Sequence, residues 1–337
     1  MAAAKNTPEL RLVRAGFKSD LINLDQLNEQ QNQVVNHRGS PLLVLGAAGS
    51  GKTTTLICAI TKRISDGVDP NTILAITYGR HSASRLRDQI ASANPANHTV
   101  NEPIARTFHS IAFLILNDQL ANTYSEDKKY VLLSGAEQDA QIRELLAIDA
   151  ANPNATLWPV ELIPALTTRG FAKELRDFIG RATERGSSPA ELIKYADKYQ
   201  QKYWPAICEF WQRYRQSLAL QDVTTSASLN RIDPSEIIIA AVEKLESNPN
   251  LLDKYQKLFQ IIYVDEFEES DRAQRRLLQL LSGQELIIFA DPASAVGRFR
   301  GADPDNLLSD LEQAGVKNIV KLPESFRIIK DQQVAML

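Results

Sequence analysis

Residues 46–53 read Gly-Ala-Ala-Gly-Ser-Gly-Lys-Thr, a glycine-rich loop of the kind that cradles phosphates. Glycines let backbone N–H groups crowd around phosphate oxygens, and a helix N-terminus adds positive potential. Lys52 is expected to reach the β- and γ-phosphates of a nucleotide, and the Thr53 hydroxyl to hold Mg²⁺. The predicted nucleotide site therefore comprises Gly46, Ala47, Ala48, Gly49, Ser50, Gly51, Lys52 and Thr53.

The sequence around this loop favours that interpretation. The apolar run 41–45 precedes it as a strand should, and residues 53–60 follow it as a helix should. A strand, a loop and a helix in this order form the structural context that a phosphate-binding loop requires. The alternative is a glycine-rich turn that binds no nucleotide.

A second group of polar residues supplies what hydrolysis would need besides a phosphate cradle. Asp265 and Glu266 follow the apolar run Ile261–Val264, at the carboxyl end of a predicted strand, where ligands of such sheets bind. We expect Asp265 to bind Mg²⁺ and Glu266 to orient or deprotonate the attacking water. A solvated strand end is the alternative, and the phosphate-binding loop upstream makes it less attractive.

The elements that must position these residues alternate between strand and helix. Short apolar runs predict buried parallel strands at 42–45, 73–76, 260–264, 286–289 and 318–320. Helices are predicted at 52–66, 81–92, 271–282 and 304–313, and the stretch from about 120 to 255 is helical in character. The chain is therefore predicted to be an α/β protein with a parallel sheet, interrupted by a mostly helical insertion.

Composition excludes several classes of protein. The chain has 337 residues, and 38 Lys and Arg against 41 Asp and Glu give a net charge of −3. This balance lacks the strongly basic signature of a duplex-DNA protein, but a locally basic channel stays compatible with it.

Cys58 and Cys208 are expected to be buried thiols in a reducing compartment. No membrane span or signal peptide is evident, so a cytoplasmic location and no membrane partner are predicted.

Six ordered motifs lie at 27–31, 77–80, 107–110, 265–268, 291–303 and 325–327 (Ser-Phe-Arg). They resemble those of the UvrD/Rep type of superfamily 1 DNA helicases, and the match runs from Leu27 to Arg327. The resemblance implies a RecA-like lobe that binds ATP and Mg²⁺, with Gln31 reading the adenine and Arg327 contacting the γ-phosphate. It implies single-stranded DNA as partner and ATP-dependent 3′–5′ DNA unwinding as function. The DNA contacts that it implies are Thr77, Tyr78, Arg80, Thr107, Phe108, His109, Arg298 and Phe299.

The resemblance also divides the chain. It implies an N-terminal arm at 1–25, a first part of the lobe at 26–118, a helical insertion at 119–256, a second part at 257–326, and a stub of a second lobe at 327–337. Parts of the insertion, including 135–146, 158–162 and 170–177, resemble the AdnA subunit of actinobacterial helicase–nucleases. That closer resemblance implies an AdnB-like partner subunit and a role in resecting double-strand breaks for recombinational repair.

Several positions depart from the family pattern. Glu268 replaces the usual glutamine, Ser294 falls where a glutamine senses the γ-phosphate, and Gly297 replaces a tyrosine that stacks on a base. The chain ends at Leu337, ten residues after Arg327, which indicates a truncated or split reading frame. Catalytic arginines of a second lobe would then be missing, so we expect the isolated chain to be a weak ATPase at best.

Two other functions stay open. A non-catalytic subunit that binds nucleotide and DNA would tolerate Glu268, Ser294 and Gly297, whereas a small-molecule kinase would also use a phosphate-binding loop. The Thr77 and Thr107 motifs and the long insertion argue against the kinase. The individual DNA contacts have structural alternatives too. The aromatic residues could fill the core, His109 could be a structural histidine, and Arg80 and Arg298 could be solvated.

Overall fold

The computed structural model describes residues 26–93, 105–118, 129–224, 229–283, 285–296, 302, 304–313, 315–323 and 325–326. The predicted N-terminal arm 1–25 and the predicted stub 327–337 lie outside the described residues. So do Gly297 and three of the predicted site residues, which are Arg298, Phe299 and Arg327.

Strands along the described chain belong to two sheets. Their bounds are β1 Leu42–Gly46, β2 Ile73–Thr77, β3 Ala105–Thr107, β4 Lys129–Leu132, β5 Leu229–Ile232, β6 Ile261–Val264, β7 Glu285–Ala290 and β8 Asn318–Leu322. The central sheet has the strand order β3-β2-β6-β7-β1-β8, and each of its neighbouring pairs runs parallel. Strands β4 and β5 form a separate parallel pair. The fold class predicted from the sequence is thus confirmed.

Helices connect the strands. Their bounds are α1 Glu29–Asn36, α2 Lys52–Ser65, α3 Arg80–Ala93, α4 Phe108–Leu116, α5 Gly135–Ala151, α6 Arg169–Glu184, α7 Pro189–Lys198, α8 Trp204–Thr224, α9 Ile237–Ser247, α10 Pro249–Leu258, α11 Arg272–Leu281 and α12 Leu307–Gln313. Capping boxes begin several of them, for example Ser188 with Glu191 at α7 and Asp271 with Gln274 at α11. No helix within the described ranges is both long and apolar enough to cross a membrane.

Helices cover both faces of the central sheet. Residues of α1, α2 and α3 form one apolar cluster with the sheet, and residues of α4, α9, α10, α11 and α12 form another on the opposite face. Strands buried on both faces should be continuously apolar rather than alternating. The sequences of β1 and β6, Leu-Leu-Val-Leu-Gly and Ile-Ile-Tyr-Val, follow this rule.

The helices α5 to α8 have a core of their own. It centres on Trp158, Phe210, Trp211 and Tyr214, with aliphatic residues from α5 and α6 around them. Strands β4 and β5 lie at the two ends of this segment and pair with each other, although the sequence analysis did not predict them. The helices α9 and α10 that follow β5 pack against the central sheet instead. The domain boundaries given above stay predictions.

The strand order determines which loops can meet. In a parallel sheet all carboxyl ends lie at one edge, so the loops after β2, β6, β7, β1 and β8 stand side by side there. The phosphate-binding loop follows β1, and Asp265 follows β6. Strand β7 lies between these two strands and ends at Ala290, just before Asp291.

Candidate nucleotide-binding site

The loop after β1 has the backbone that a phosphate cradle needs. Gly49 and Gly51 have φ angles of 84° and 83°, in the left-handed region that glycine adopts at little cost. Helix α2 begins at Lys52, directly after Gly51, so its first-turn N–H groups lie at the loop. These N–H groups have no partner within the helix and are available to an anion.

Lys52 lies over this loop. Its Nζ donates hydrogen bonds to the carbonyl oxygens of Gly46, at 2.6 Å, and Ala47, at 3.2 Å. The same ammonium group is 3.9 Å from the carboxylate of Asp291, at the end of β7. A cation at the rim of the loop is in a position to contact the terminal phosphates of a nucleotide bound there.

Thr53 and Asp265 meet although 212 residues separate them. The Thr53 hydroxyl donates to Oδ2 of Asp265 at 2.7 Å, and the other carboxylate oxygen accepts the N–H of Glu266 at 3.0 Å. Burial raises the pKa of Asp265, and the hydrogen bond from Thr53 opposes that rise. The two oxygens fit Mg²⁺, which binds one or two protein oxygens and completes its shell with phosphate oxygens and water.

A group of three or more His, Cys, Asp or Glu side chains placed to hold a metal does not occur among the described residues. Thr53 and Asp265 would hold a magnesium ion here together with phosphate oxygens and water. This arrangement agrees with the way in which enzymes that use nucleoside triphosphates bind Mg²⁺.

Glu266 has an unusual backbone and two side-chain contacts. Its φ of 56° lies in the left-handed region, which non-glycine residues seldom adopt and which is often found at functional sites. Oε2 accepts a hydrogen bond from the Thr77 hydroxyl at 2.9 Å, and Oε1 accepts one from Ser82 at 3.3 Å. The residue expected to act on water therefore contacts a residue expected to act on DNA.

Glu268 is buried at the centre of this region, with 6% of its surface exposed. Its carboxylate accepts hydrogen bonds from the Asp291 N–H, at 3.0 Å, and from the Ser294 hydroxyl, at 3.4 Å. Burial raises its pKa from 4.5 to about 7, although the hydrogen bond from the Asp291 N–H and the charge of Lys52 oppose the rise. The carboxylate therefore links the end of β6 to the turn after β7.

Gln31 lies beneath the loop and is buried. Its Oε1 accepts the N–H of Asn28, while its own N–H donates to Asn28 Oδ1, so the two residues form the capping box of α1. A Cβ atom added to Gly51 would stand 2.5 Å from Gln31 Nε2. The structure therefore brings Gln31 to the loop, while its predicted contact with the base stays a prediction.

Phe326, for which no role was predicted from the sequence, also reaches the loop. Its N–H donates to the Gly49 carbonyl at 3.0 Å, and the neighbouring Ser325 hydroxyl donates to the Ala48 carbonyl at 3.1 Å. The ring lies 3.6 Å from the point that a Cβ of Gly51 would occupy, and 42% of the residue is exposed. Its position directly before Arg327, which the family resemblance places on the γ-phosphate, was the available signal in the sequence.

The residues predicted to contact DNA lie in different environments. Thr77 and Thr107 are buried, and the Thr107 hydroxyl accepts the Ser110 N–H at the start of α4. Phe108 is 3% exposed and belongs to the core, which argues against stacking on a base. Burial lowers the pKa of His109, and the charge of Arg80 lowers it further. Neutral histidine is thus favoured there.

A cleft of about 920 Å³ opens between this edge of the sheet and the helical segment. Tyr78, Arg80, Thr107 and His109 line one side of it. The other side carries charges of both signs, contributed by Arg176, Asp177, Arg181, Glu184 and Asp233. The lining of the cleft therefore carries charges of both signs and is not uniformly basic.

Comparison with known proteins agrees with this geometry. Residues 27–314 match the family model of the UvrD/REP helicase N-terminal domain. The chain is 25% identical over 313 residues to the ATP-dependent DNA helicase PcrA of Staphylococcus aureus, and the match covers 91% of this chain and 39% of that protein.

Two further relatives match over a similar stretch. DNA helicase II of Haemophilus influenzae is 26% identical, with 90% of this chain and 39% of that protein covered. PcrA of Bacillus subtilis is also 26% identical, with 91% and 38% covered. The chain thus spans about two fifths of the length of these relatives.

Proposed function

We propose that this chain, which belongs to the UvrD/REP helicase family, is the ATP-binding lobe of a 3′–5′ DNA helicase. The contact that carries the proposal is the 2.7 Å hydrogen bond between Thr53 and Asp265. It unites the phosphate-binding loop with a carboxylate from a distant strand, and together they provide the oxygen ligands for a nucleotide-bound Mg²⁺.

In the proposed site the loop binds the phosphates of ATP, and Lys52 stabilises the negative charge of the terminal ones. Glu266 orients the attacking water, and hydrogen bonds from Thr77 and Ser82 hold the Glu266 carboxylate in place. The exposed ring of Phe326 provides an apolar surface beside the loop against which the adenine could pack. Bound Mg²⁺ would neutralise charge on the phosphates during transfer.

Replacing Lys52 with alanine tests the nucleotide site. Lost charge-assisted contacts of about 1.5–3 kcal/mol should weaken Mg-ATP binding about tenfold or more. The matched control is Lys62→Ala on the same helix, which removes a lysine paired with Asp66 at 3.3 Å, far from the loop. A fluorescent ATP analogue is titrated into all three proteins, and equal affinities for wild type and Lys52→Ala would refute the site. Equal affinity for GTP would count against Gln31 as the base reader.

The purified 337-residue chain should hydrolyse ATP slowly and should fail to unwind a 3′-tailed duplex. Arginines that stabilise transferred phosphoryl groups contribute about 10³–10⁵ in rate in comparable enzymes, and the family takes one of them from a second lobe. Steady-state phosphate release and a strand-separation assay measure the two activities. Robust unwinding by this chain alone would contradict the proposal.

Single-stranded DNA is the proposed partner, bound in the cleft by residues such as Tyr78 and Arg80. Phosphate contacts make such binding steeply salt-dependent and indifferent to sequence. The repair role, the AdnA-type assignment, the AdnB-like partner and the cytoplasmic location stay predictions from the sequence. The relatives reported above are PcrA and DNA helicase II proteins.

A non-catalytic subunit that binds ATP and DNA is the second candidate. The buried Glu268 favours it, because a carboxylate near bound phosphates would repel them when ionised. Ser294, which bonds to Glu268, is also too short to reach a γ-phosphate as a glutamine would. ATP binding without any turnover, with or without DNA, would favour this candidate over the ATPase.

A further inference from the structure

Between residues 194 and 203 the dipeptide Lys-Tyr recurs at intervals of four residues, at 194–195, 198–199 and 202–203. The first copy lies within α7, the second comprises the last residue of α7 and the residue that follows it, and the third lies just before α8. The nucleotide site uses none of these residues. We call the exposed side chains of Lys194, Tyr195, Lys198 and Tyr199 the Lys-Tyr surface.

Helix periodicity places these side chains together. Residues four apart lie one turn apart on the same face, so Tyr195 and Tyr199 are neighbours, as are Lys194 and Lys198. Leu192 and Ala196 are buried, so this face of α7 packs inward, whereas the Lys-Tyr pairs are exposed together with Ile193 and Asp197. The tyrosines therefore do not belong to the core of the helical segment.

The rings of Tyr195 and Tyr199 lie side by side, and both are exposed to solvent. Their centroids are 6.1 Å apart at an interplanar angle of 44°, and 44% of Tyr195 and 56% of Tyr199 remain accessible to solvent. The Lys198 ammonium lies 5.2 Å from the centroid of the Tyr199 ring. Two adjacent, exposed aromatic rings with a cation beside them resemble a contact site more than an ordinary charged surface.

The chemistry favours nucleic acid over protein as the ligand. Tyrosine is common in protein interfaces, but lysine is depleted there, and this surface repeats lysine beside every tyrosine. Proteins that bind single strands combine lysines along the backbone with aromatic rings on which bases stack. Lys202 is already paired with Glu161 at 2.9 Å, so the phosphate contacts fall to Lys194 and Lys198.

We propose that the Lys-Tyr surface binds single-stranded DNA, with bases stacked on Tyr195 and Tyr199 and phosphates bound by Lys194 and Lys198. The choice of DNA rests on the helicase function proposed above. No residue of α7 is among those that line the cleft, so the Lys-Tyr surface would be a second point of contact for the DNA. A DNA strand bound at both places would restrict movement of the helical segment relative to the central sheet.

Binding of labelled oligo-dT, measured by polarisation at several salt concentrations, tests the proposal. The double variant Tyr195→Ala/Tyr199→Ala should bind about tenfold or more weakly, with an unchanged dependence on salt. Tyr195→Phe/Tyr199→Phe keeps both rings and should bind like wild type. Lys194→Gln/Lys198→Gln should lower the slope of log affinity against log salt by about 1.4, since each phosphate contact to a single strand contributes about 0.7.

Two controls separate stacking from other effects. Lys257→Gln/Lys317→Gln removes two exposed lysines elsewhere and should leave the slope as in wild type. An abasic oligomer of equal length keeps the phosphates, so the alanine double variant should bind it as wild type does. If that variant lost affinity for both oligomers alike, base stacking would be refuted.

The result also distinguishes this surface from the proposed function. If wild type binds oligo-dT and the alanine double variant binds it equally well, the surface is refuted while the helicase proposal stands. If wild type binds no oligo-dT even at low salt, both the surface and the DNA part of the proposed function are wrong. The ATP-analogue titration on the same preparation then reports separately on the nucleotide site.

Discussion

Replacing Glu268 with glutamine should change the pH dependence of stability. The unfolding free energy of the variant relative to wild type should be higher at pH 8 than at pH 5. The carboxyl is buried, and its pKa is about 7 in the folded chain against 4.5 ordinarily. An acid whose pKa is raised by folding binds its proton more tightly when folded. It therefore contributes stability at low pH, and this contribution is lost as the pH rises through about 7.

The magnitude follows from the two pKa values. At about 1.36 kcal/mol per unit, the contribution lost between about pH 5 and pH 8 is roughly 2.5 kcal/mol. Glutamine does not titrate, and its carbonyl oxygen can still accept the Asp291 N–H that Oε2 accepts at 3.0 Å. The unfolding free energy of the variant minus that of wild type should therefore increase by about 2.5 kcal/mol from about pH 5 to pH 8.

Urea unfolding followed by circular dichroism at pH 5, 6, 7 and 8 measures this difference. Asp271 is another buried acid with a raised pKa, but it is present in both proteins and cancels in the comparison. The exposed Glu312 provides the matched control, and Glu312→Gln is unfolded in urea over the same pH range. A pH-independent difference for Glu268→Gln would refute the reasoning.

Three further changes test other parts of the site and fold. Glu266→Gln should abolish any ATP turnover while leaving ATP-analogue binding near wild type, and retained phosphate release would show that Glu266 is not the base. Gly51→Ala should destabilise the chain by about 1–3 kcal/mol in thermal unfolding, since φ is 83° and the new Cβ would stand 2.5 Å from Gln31 Nε2. Asp149→Ala removes the buried acceptor of the Trp158 indole N–H, at 2.8 Å, and should lower stability by about 2–4 kcal/mol. An unchanged melting temperature would contradict either stability prediction.

The longer strands of the central sheet could be predicted from the sequence, whereas the shortest strands could not. Runs such as Leu42–Leu45 and Ile261–Val264 could be predicted as buried parallel strands, because both faces of such strands are apolar and turn residues bound them. The short β3 and the pair β4 and β5 were not predicted. They are three or four residues long, and β4 alternates between exposed and partly buried positions, so local pattern carries little signal there.

The sequence by itself determined the class of fold and the chemistry of the phosphate-binding loop, because both depend on residue types at short spacing. Tertiary structure decided which distant residues meet. The strand order places β7 between β1 and β6, so Asp291 approaches Lys52, and Thr53 contacts Asp265. Local periodicity cannot encode such contacts, since they follow from the way in which strands far apart in the chain pair side by side.

Because local sequence does not encode contacts between distant residues, the motifs also left the surroundings of several residues undetermined. The sequence gives no sign that Glu266 accepts a hydrogen bond from Thr77, or that Phe326 lies over Gly51. It also left open whether Phe108 meets DNA or fills the core, and only the packing of α4 against the sheet buries its ring. Burial belongs to the assembled fold, because it depends on which faces of the elements come to lie against one another.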